Sequence, residues 1–383
     1  MKNKPAALKV WSREYNIWFY ALFGTAVGAG TLFLPIQLGL SGAPAMIMMC
    51  LTAIPFTYYP HLALARYIIS SDAPAPTLLS ATAQYYGNRV ANIINFLYTL
   101  TFLLIICIYS ASITNSVSNF LVKFYDINAS RPLLAFLVVS VLHIIFLSGK
   151  KITLKIMGAL VIPLAIYLIV LSLTLIHYRD PSAIAEFTRP PEFDISLLKN
   201  LWLLLPVMVF SFSHTPIIST FAAHCRKTYG DAAEEHMKKI MKPSYFLICA
   251  VILFFVFSCV SALSRPELLA ARTDNVTVLT AIGDKNNLLW IILTATPVAV
   301  VAMSKSFLGT YFGTAEGVRG IVEAAEQNRR GTKTRRTGSK FKSIFIIFII
   351  SLVFSVCNPN ILSVISVITG PLIALILFIL PSA

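Results

Sequence analysis

Long stretches of this chain carry no charge. No Asp, Glu, Lys or Arg occurs from Tyr15 to Ala65, from Val90 to Val122, or from Ser343 to Ala383. A bilayer core about 30 Å thick takes roughly 20 apolar helical residues to cross, so the first and last stretches each hold two crossings. Reading the remaining apolar runs the same way predicts ten membrane-spanning helices, at residues 16–38, 43–69, 90–122, 132–149, 153–176, 197–223, 243–264, 286–317, 343–357 and 361–380. The third and eighth exceed what a bilayer requires and are expected to tilt or protrude.

Composition agrees with a polytopic all-α membrane protein. The 383 residues are 57% hydrophobic and 12% charged, with mean hydropathy +0.77, far too few charges to cover a soluble surface. The net charge of +15 does not point to nucleic acid, because the excess sits in short clusters between spans. Those clusters are Lys2, Lys4, Lys9 and Arg13; Lys150, Lys151 and Lys155; Arg226, Lys227, Lys238, Lys239 and Lys242; and the stretch from Arg319 to Lys342. An even number of spans separates each from the next, so all fall on one side, which the positive-inside rule makes cytoplasmic. The N-terminal basic stretch precedes a run too long for a signal peptide, with no small-residue cleavage site after it. Residues 1–15 are therefore read as a cytoplasmic N-terminus. Residues 16–176 and 197–380 form two five-helix halves, and 327–342 a flexible basic cytoplasmic loop in reach of anionic lipid. The six cysteines show no CxxC pair or metal-type spacing and read as small core residues in lipid.

Two spans carry helix-breaking signals. Span one contains Gly24-Thr25-Ala26-Val27-Gly28-Ala29-Gly30. Each glycine weakens a helix by about 1 kcal/mol relative to Ala. One reading is a broken helix whose freed N–H groups bind an anion; the other is a GxxxG packing face built on Gly24 and Gly28. Span six contains Ser211-Phe212-Ser213-His214-Thr215-Pro216. The proline removes a donor, and polar groups at that depth usually face a cavity; a plain proline kink with hydroxyls bonded back to the helix is the alternative. Taken together the signals favour the breaks. Each lies in the first span of a five-span half, and halves with an odd number of spans are inverted relative to one another, as in transporters with midplane sites.

Span eight carries Lys305 within Met303-Ser304-Lys305-Ser306-Phe307. An ammonium at mid-membrane depth must face protein or water. It is read either as a cation that replaces sodium or couples protons, or as a structural donor to carbonyls. Glu316 and His61, the latter with Arg66 close behind, read as interfacial residues, and Gly370-Pro371 as a kink in span ten. No metalloprotease, nucleophile-elbow or Walker pattern is present, and no acid lies in a span near His214 to orient it as a catalytic base. An enzyme is therefore not expected, nor a cofactor.

The segments GTAVGAGTLFLPI (24–36), SFSHTPIIST (211–220) and KSFLGTYFGTAEG (305–317) resemble the hydroxy/aromatic amino acid permease family, in its branch of bacterial serine and threonine–serine proton symporters and their inner-membrane relatives. The resemblance covers essentially the whole chain. It implies a LeuT-type fold of the amino acid–polyamine–organocation superfamily, with a 5+5 inverted repeat. It further implies that Thr25, Gly28, Ala29 and Gly30 hold a substrate carboxylate, and that Ser211, Ser213, His214 and Thr215 meet the amine and side chain. Lys305, with Ser304 and Ser306, would lie where sodium-coupled relatives hold an ion. Members of the family have eleven spans. A chain ending at Pro381-Ser382-Ala383 without an anchor is expected to be a truncated form, either active or a non-transporting remnant. The expected activity is proton-driven, rather than sodium-driven, import of a small neutral amino acid through the inner membrane. Serine or threonine is the first expectation and an aromatic amino acid the alternative; the oligomeric state is left open.

Overall fold

The computed structural model describes residues 12–189, 195–285, 288–330 and 336–382. Lys2, Lys4 and Lys9, and residues 331–335 at the middle of the expected basic loop, lie outside them. The chain runs through α1 (Arg13–Ala26), α2 (Ala29–Ser41), α3 (Ala43–Ile69), α4 (Leu78–Tyr125), α5 (Arg131–Leu147), α6 (Lys150–His177), α7 (Pro181–Thr188), α8 (Ile195–Phe212), α9 (Thr215–Tyr229), α10 (Ala233–Ala262), α11 (Arg265–Thr273), α12 (Val278–Lys285), α13 (Leu289–Arg330) and α14 (Arg336–Cys357). A last span, Ile361–Ile379, follows.

Among the described residues, seven helical stretches are long and apolar enough to cross a membrane, eight with the bent pair α1–α2. Leu197–Ala262 holds two crossings because the chain reverses at Gly230, where φ is +56°. The shorter apolar helix Arg131–Leu147 supplies a further crossing. With those two recognised, the crossings among the described residues number ten. Span one is α1 plus α2 and span six is α8 plus α9; spans two to five are α3 to α6, and seven, eight and nine are α10, α13 and α14.

Departures from the expected boundaries have local causes. Span three starts twelve residues early, at Leu78, where the Thr77 hydroxyl caps the Ser80 N–H at 3.1 Å and Ser80 caps Thr77 in return. Gly87, at φ +78°, turns this foot away from the membrane-crossing part, a conformation glycine adopts without strain. Span eight continues as helix to Arg330 and span nine resumes at Arg336, so helix occupies both ends of the expected flexible loop. Three short helices, α7, α11 and α12, cover the face opposite the basic clusters. They are too short to register as spans, and their sequence is mixed polar and apolar. At Gly370-Pro371, where a kink is expected, the helix loosens into π-helical turns on either side, at Ile365–Thr369 and Leu375–Ile379. Gly370 packs so tightly on span six that a Cβ there would lie 2.6 Å from the Pro206 carbonyl oxygen.

The core sits around the two broken spans. Every described residue from Ala21 to Leu38 is buried. Outer helices turn their apolar residues outward, as with Ile144, Ile166 and Phe345. Such exposure suits lipid rather than water. Four of the six cysteines are buried, but Cys50 and Cys357 face outward, so those two are not core residues.

Candidate functional site

Span one breaks at Val27-Gly28, and its halves meet at an angle of 43°. The carbonyls freed there find hydroxyl donors. The Ser306 hydroxyl lies 2.9 Å from the Val27 oxygen and 3.2 Å from that of Gly24. The Thr31 hydroxyl donates to the Ala26 oxygen at 3.3 Å. On the other side of the break, the first intrahelical bond of α2 is from the Leu32 N–H to the Gly28 oxygen at 3.1 Å. The N–H groups of Gly28, Ala29, Gly30 and Thr31 therefore have no partner within the helix. They form the positive end of α2, a site suited to a carboxylate.

The glycines are required by close neighbours. A Cβ on Gly28 would collide with the Ser306 side chain and come 3.1 Å from the Tyr109 hydroxyl. A Cβ on Gly30 would come 2.6 Å from the Ser211 Cα and 2.8 Å from the Phe210 ring. The two broken helices thus touch backbone to backbone at Gly30 and Ser211, which a packing face of GxxxG type alone does not explain. Tyr109, on span three, belongs to the site and was missed in the sequence, because a tyrosine in an apolar helix carries no signal of which way it faces.

Span six breaks at Ser213-His214, with Pro216 in the first turn of α9. Here the N–H groups are occupied. The Thr215 N–H donates to the Ser213 hydroxyl at 3.4 Å, and that hydroxyl lies 2.8 Å from the Thr215 hydroxyl. The His214 N–H donates to Nε2 of His61 at 3.2 Å. The His214 ring hydrogen-bonds the Tyr245 hydroxyl through Nε2, and its Nδ1 lies 3.2 Å from the Phe212 oxygen. His61 is 1% exposed and stacked on His214, ring centroids 4.1 Å apart. It is a core residue of the span-six break, not the interfacial anchor expected. Its position in the helix suggested an interface; the inward rotation of α3 was not readable.

Not every predicted residue points into the space between the breaks. The Thr25 hydroxyl donates to the Ala21 oxygen at 2.8 Å, and Thr25 packs against Gly309, where a Cβ would meet its methyl at 3.0 Å. The Ser211 hydroxyl donates to the Val207 oxygen at 2.6 Å. Thr25 meets span eight with its methyl and Ser211 meets span one with its backbone, while the hydroxyls of both stay within their own turns. Lys305 is fully buried. Its Cδ and Cε approach within 3.4 Å of a Cβ built on Gly24, and its ammonium lies 5.7 Å from the Phe23 ring centroid. Among the described residues Nζ has no hydrogen-bond partner. Lys305 and Ser306 therefore both meet the span-one break. Ser304 is half-buried, and the hydrogen bonds from span eight to the break come from Ser306.

Toward the basic face, three adjoining cavities of about 460, 350 and 140 Å³ share Thr77 and Glu316 among their walls. Beside them the start of α1 is fastened to α9 and α10. Glu14 pairs with His224 at 2.7 Å, and Tyr15 hydrogen-bonds His236. On the opposite face Lys285 ties α12 to Asp180 at 3.1 Å and Glu267 at 2.9 Å.

Two broken helices in contact at Gly30 and Ser211, each opening a five-span half of the bundle, define a LeuT-type fold. Comparison with solved structures agrees on the fold. The chain is similar to MhsT in complex with L-phenylalanine, with TM-score 0.55 and 18% identity over 95% of this chain and 88% of that one. It is also similar to a Na⁺-coupled sialic acid symporter in a substrate-bound outward-open state, with TM-score 0.62 and 11% identity over 95% and 79%. The model of the tryptophan/tyrosine permease family matches residues 19–383, and the chain belongs to that family. Among its relatives, the inner membrane transport protein YqeG of Escherichia coli (strain K12) is 44% identical over 376 residues, 97% of this chain and 91% of that protein. The serine transporter SdaC of the same organism is 33% identical over 374 residues, 97% and 87% of the two chains. The protein is thus a multi-pass amino acid transporter, not an enzyme.

Proposed function

We propose that the protein imports a small neutral amino acid, serine or threonine, through a bacterial inner membrane by proton symport and alternating access, with its N-terminus in the cytoplasm. The observation that carries the coupling mechanism is Lys305, a fully buried ammonium with no hydrogen-bond partner among the described residues, set against the span-one break. An ammonium there does by titration what an exchangeable cation would do by binding. Residues Gly28, Ala29 and Gly30 present N–H groups to the substrate carboxylate. Ser213, His214 and Thr215 face its amine and side chain from the other break, and Tyr109 closes the site from span three. The similarity to a serine transporter supports the small substrate. The family's name supports a second reading, an aromatic amino acid in the same site.

The test is uptake of radiolabelled serine, threonine, tryptophan and tyrosine into proteoliposomes, with and without an inward proton gradient. Accumulation of serine or threonine that collapses with an uncoupler is expected. Accumulation of only the aromatic pair selects the second reading, and accumulation driven by sodium without a proton gradient overturns the coupling.

A further inference from the structure

His61 touches the span-six break at the point where the helix has lost its own hydrogen bonds. Its Nδ1 lies 2.6 Å from the Thr57 oxygen. A carbonyl only accepts, so Nδ1 carries the proton and donates. A backbone N–H only donates, so Nε2, 3.2 Å from the His214 nitrogen, is unprotonated and accepts. The same logic applies to the ring above it. Nδ1 of His214 faces the Phe212 oxygen at 3.2 Å and donates, leaving Nε2 to accept from the Tyr245 hydroxyl. Both imidazoles are therefore neutral in this arrangement, with each tautomer set by its partners.

We propose that His61 is the positioning residue that holds the span-six break closed by accepting the His214 N–H, and that protonation of His61 releases this latch. A proton on Nε2 would set N–H against N–H, so the bond must open. The rings are stacked, parallel to within 2° and with centroids 4.1 Å apart, so a charge on one opposes a charge on the other. The titratable groups that face His61 are His214 from span six, and Tyr245 and Cys249 from span seven. Its ring centroid is 5.6 Å from that of Tyr245, while Cys249 reaches the Thr57 turn. The parts of span one (Ala29–Ser41) and of the last span that pack on α3 carry no titratable side chain. Among the described residues no carboxylate, lysine or arginine is bonded to His61, so the latch responds to a proton and not to a fixed counter-charge. The assignment needs only the geometry of the break. It stands whether or not serine is the substrate and whether or not Lys305 couples transport.

The test is amide hydrogen exchange of the full chain in lipid nanodiscs, read by mass spectrometry on peptides covering Phe210–Ile217, without substrate. Unstructured amides exchange more slowly as pH falls, so a rise on acidification cannot come from intrinsic chemistry. In the wild type, exchange of this segment relative to its intrinsic rate should increase at least about fivefold on acidification through the histidine range, the effect of losing one hydrogen bond. In His61→Gln the amide oxygen replaces the acceptor and does not titrate, so the segment should stay protected at both pH values. In His61→Leu it should be exposed at both. Wild-type protection that does not change with pH overturns the latch, as does a His61→Gln profile that still responds to acid. The wild-type arm decides even if the leucine variant fails to fold.

Discussion

At the break in span one the carbonyls are occupied and the N–H groups are presented. At the break in span six the N–H groups of His214 and Thr215 are occupied by His61 and Ser213. The first break is made of glycines and relies on span eight, through Ser306, to satisfy its oxygens. The second is made of Ser, His, Thr and Pro, and is held by its own side chains together with span two. Burying an unpaired backbone group costs about 1–3 kcal/mol, so the carbonyls of the first break and the N–H groups of the second are stabilised by the neighbours that supply their missing partners. A symmetric fold has thus used its two breaks differently. One leaves its N–H groups without a partner in the helix; the other has them held by neighbouring side chains.

Substitutions at equivalent places should separate these roles. The largest effect is expected at Gly30. An alanine there drives a Cβ to 2.6 Å from the Ser211 backbone, and overpacking of about 3 kcal/mol should lower initial uptake by about 100-fold. Its counterpart, Ser213→Ala, removes one hydroxyl and its two hydrogen bonds to Thr215 and should cost no more than about tenfold. Equal losses at the two positions would remove the distinction between the breaks. Next, Lys305→Ala should lose proton-driven accumulation altogether while substrate binding, measured by scintillation proximity, persists. Unchanged accumulation would exclude Lys305 from coupling.

A smaller effect follows from Ser306→Ala. It strands the Gly24 and Val27 carbonyls and should lower unfolding stability by about 1–3 kcal/mol, seen as a lower melting temperature in detergent. Thr215→Val at the other break should be milder, because the Thr215 N–H keeps the Ser213 oxygen. The smallest effect lies outside the spans. The Ser182 hydroxyl and the Lys285 ammonium hold the Asp180 carboxyl well below the usual carboxylate range. A depressed acid contributes stability above its unfolded pKa of about 3.9 and loses it as pH falls. Burial alone would lower Lys285, but its bonds to Glu267 and Asp180 outweigh that and raise it, so its share is lost only above about pH 10. Asp180→Asn should therefore lower the melting temperature slightly across neutral pH, and the mutant and wild-type curves should converge below about pH 4.

Much of this molecule was legible along the chain because the membrane imposes a one-dimensional rule. Spans show themselves by length and apolarity, the placement of basic clusters follows from the span count, and the breaks are visible because Gly and Pro act on their own backbone. Lys305 could be singled out because a charge within an apolar run is costly wherever it points. The direction in which a side chain points was not legible. Hydropathy in lipid is nearly uniform around an inner helix, so α3 gave no sign that His61 turns inward to His214, 153 residues away. Nor did span three show that Tyr109 closes over Gly28. Ser304 and Ser306 looked alike in sequence, and only the rotation of α13 chose Ser306 to bond Val27, 279 residues away. The sequence by itself determined the ten spans, the two breaks and the buried charge, because each is a local property of the backbone or of burial. The tertiary structure alone decided which partner completes each break, because that depends on helix rotation and packing between segments far apart in the chain.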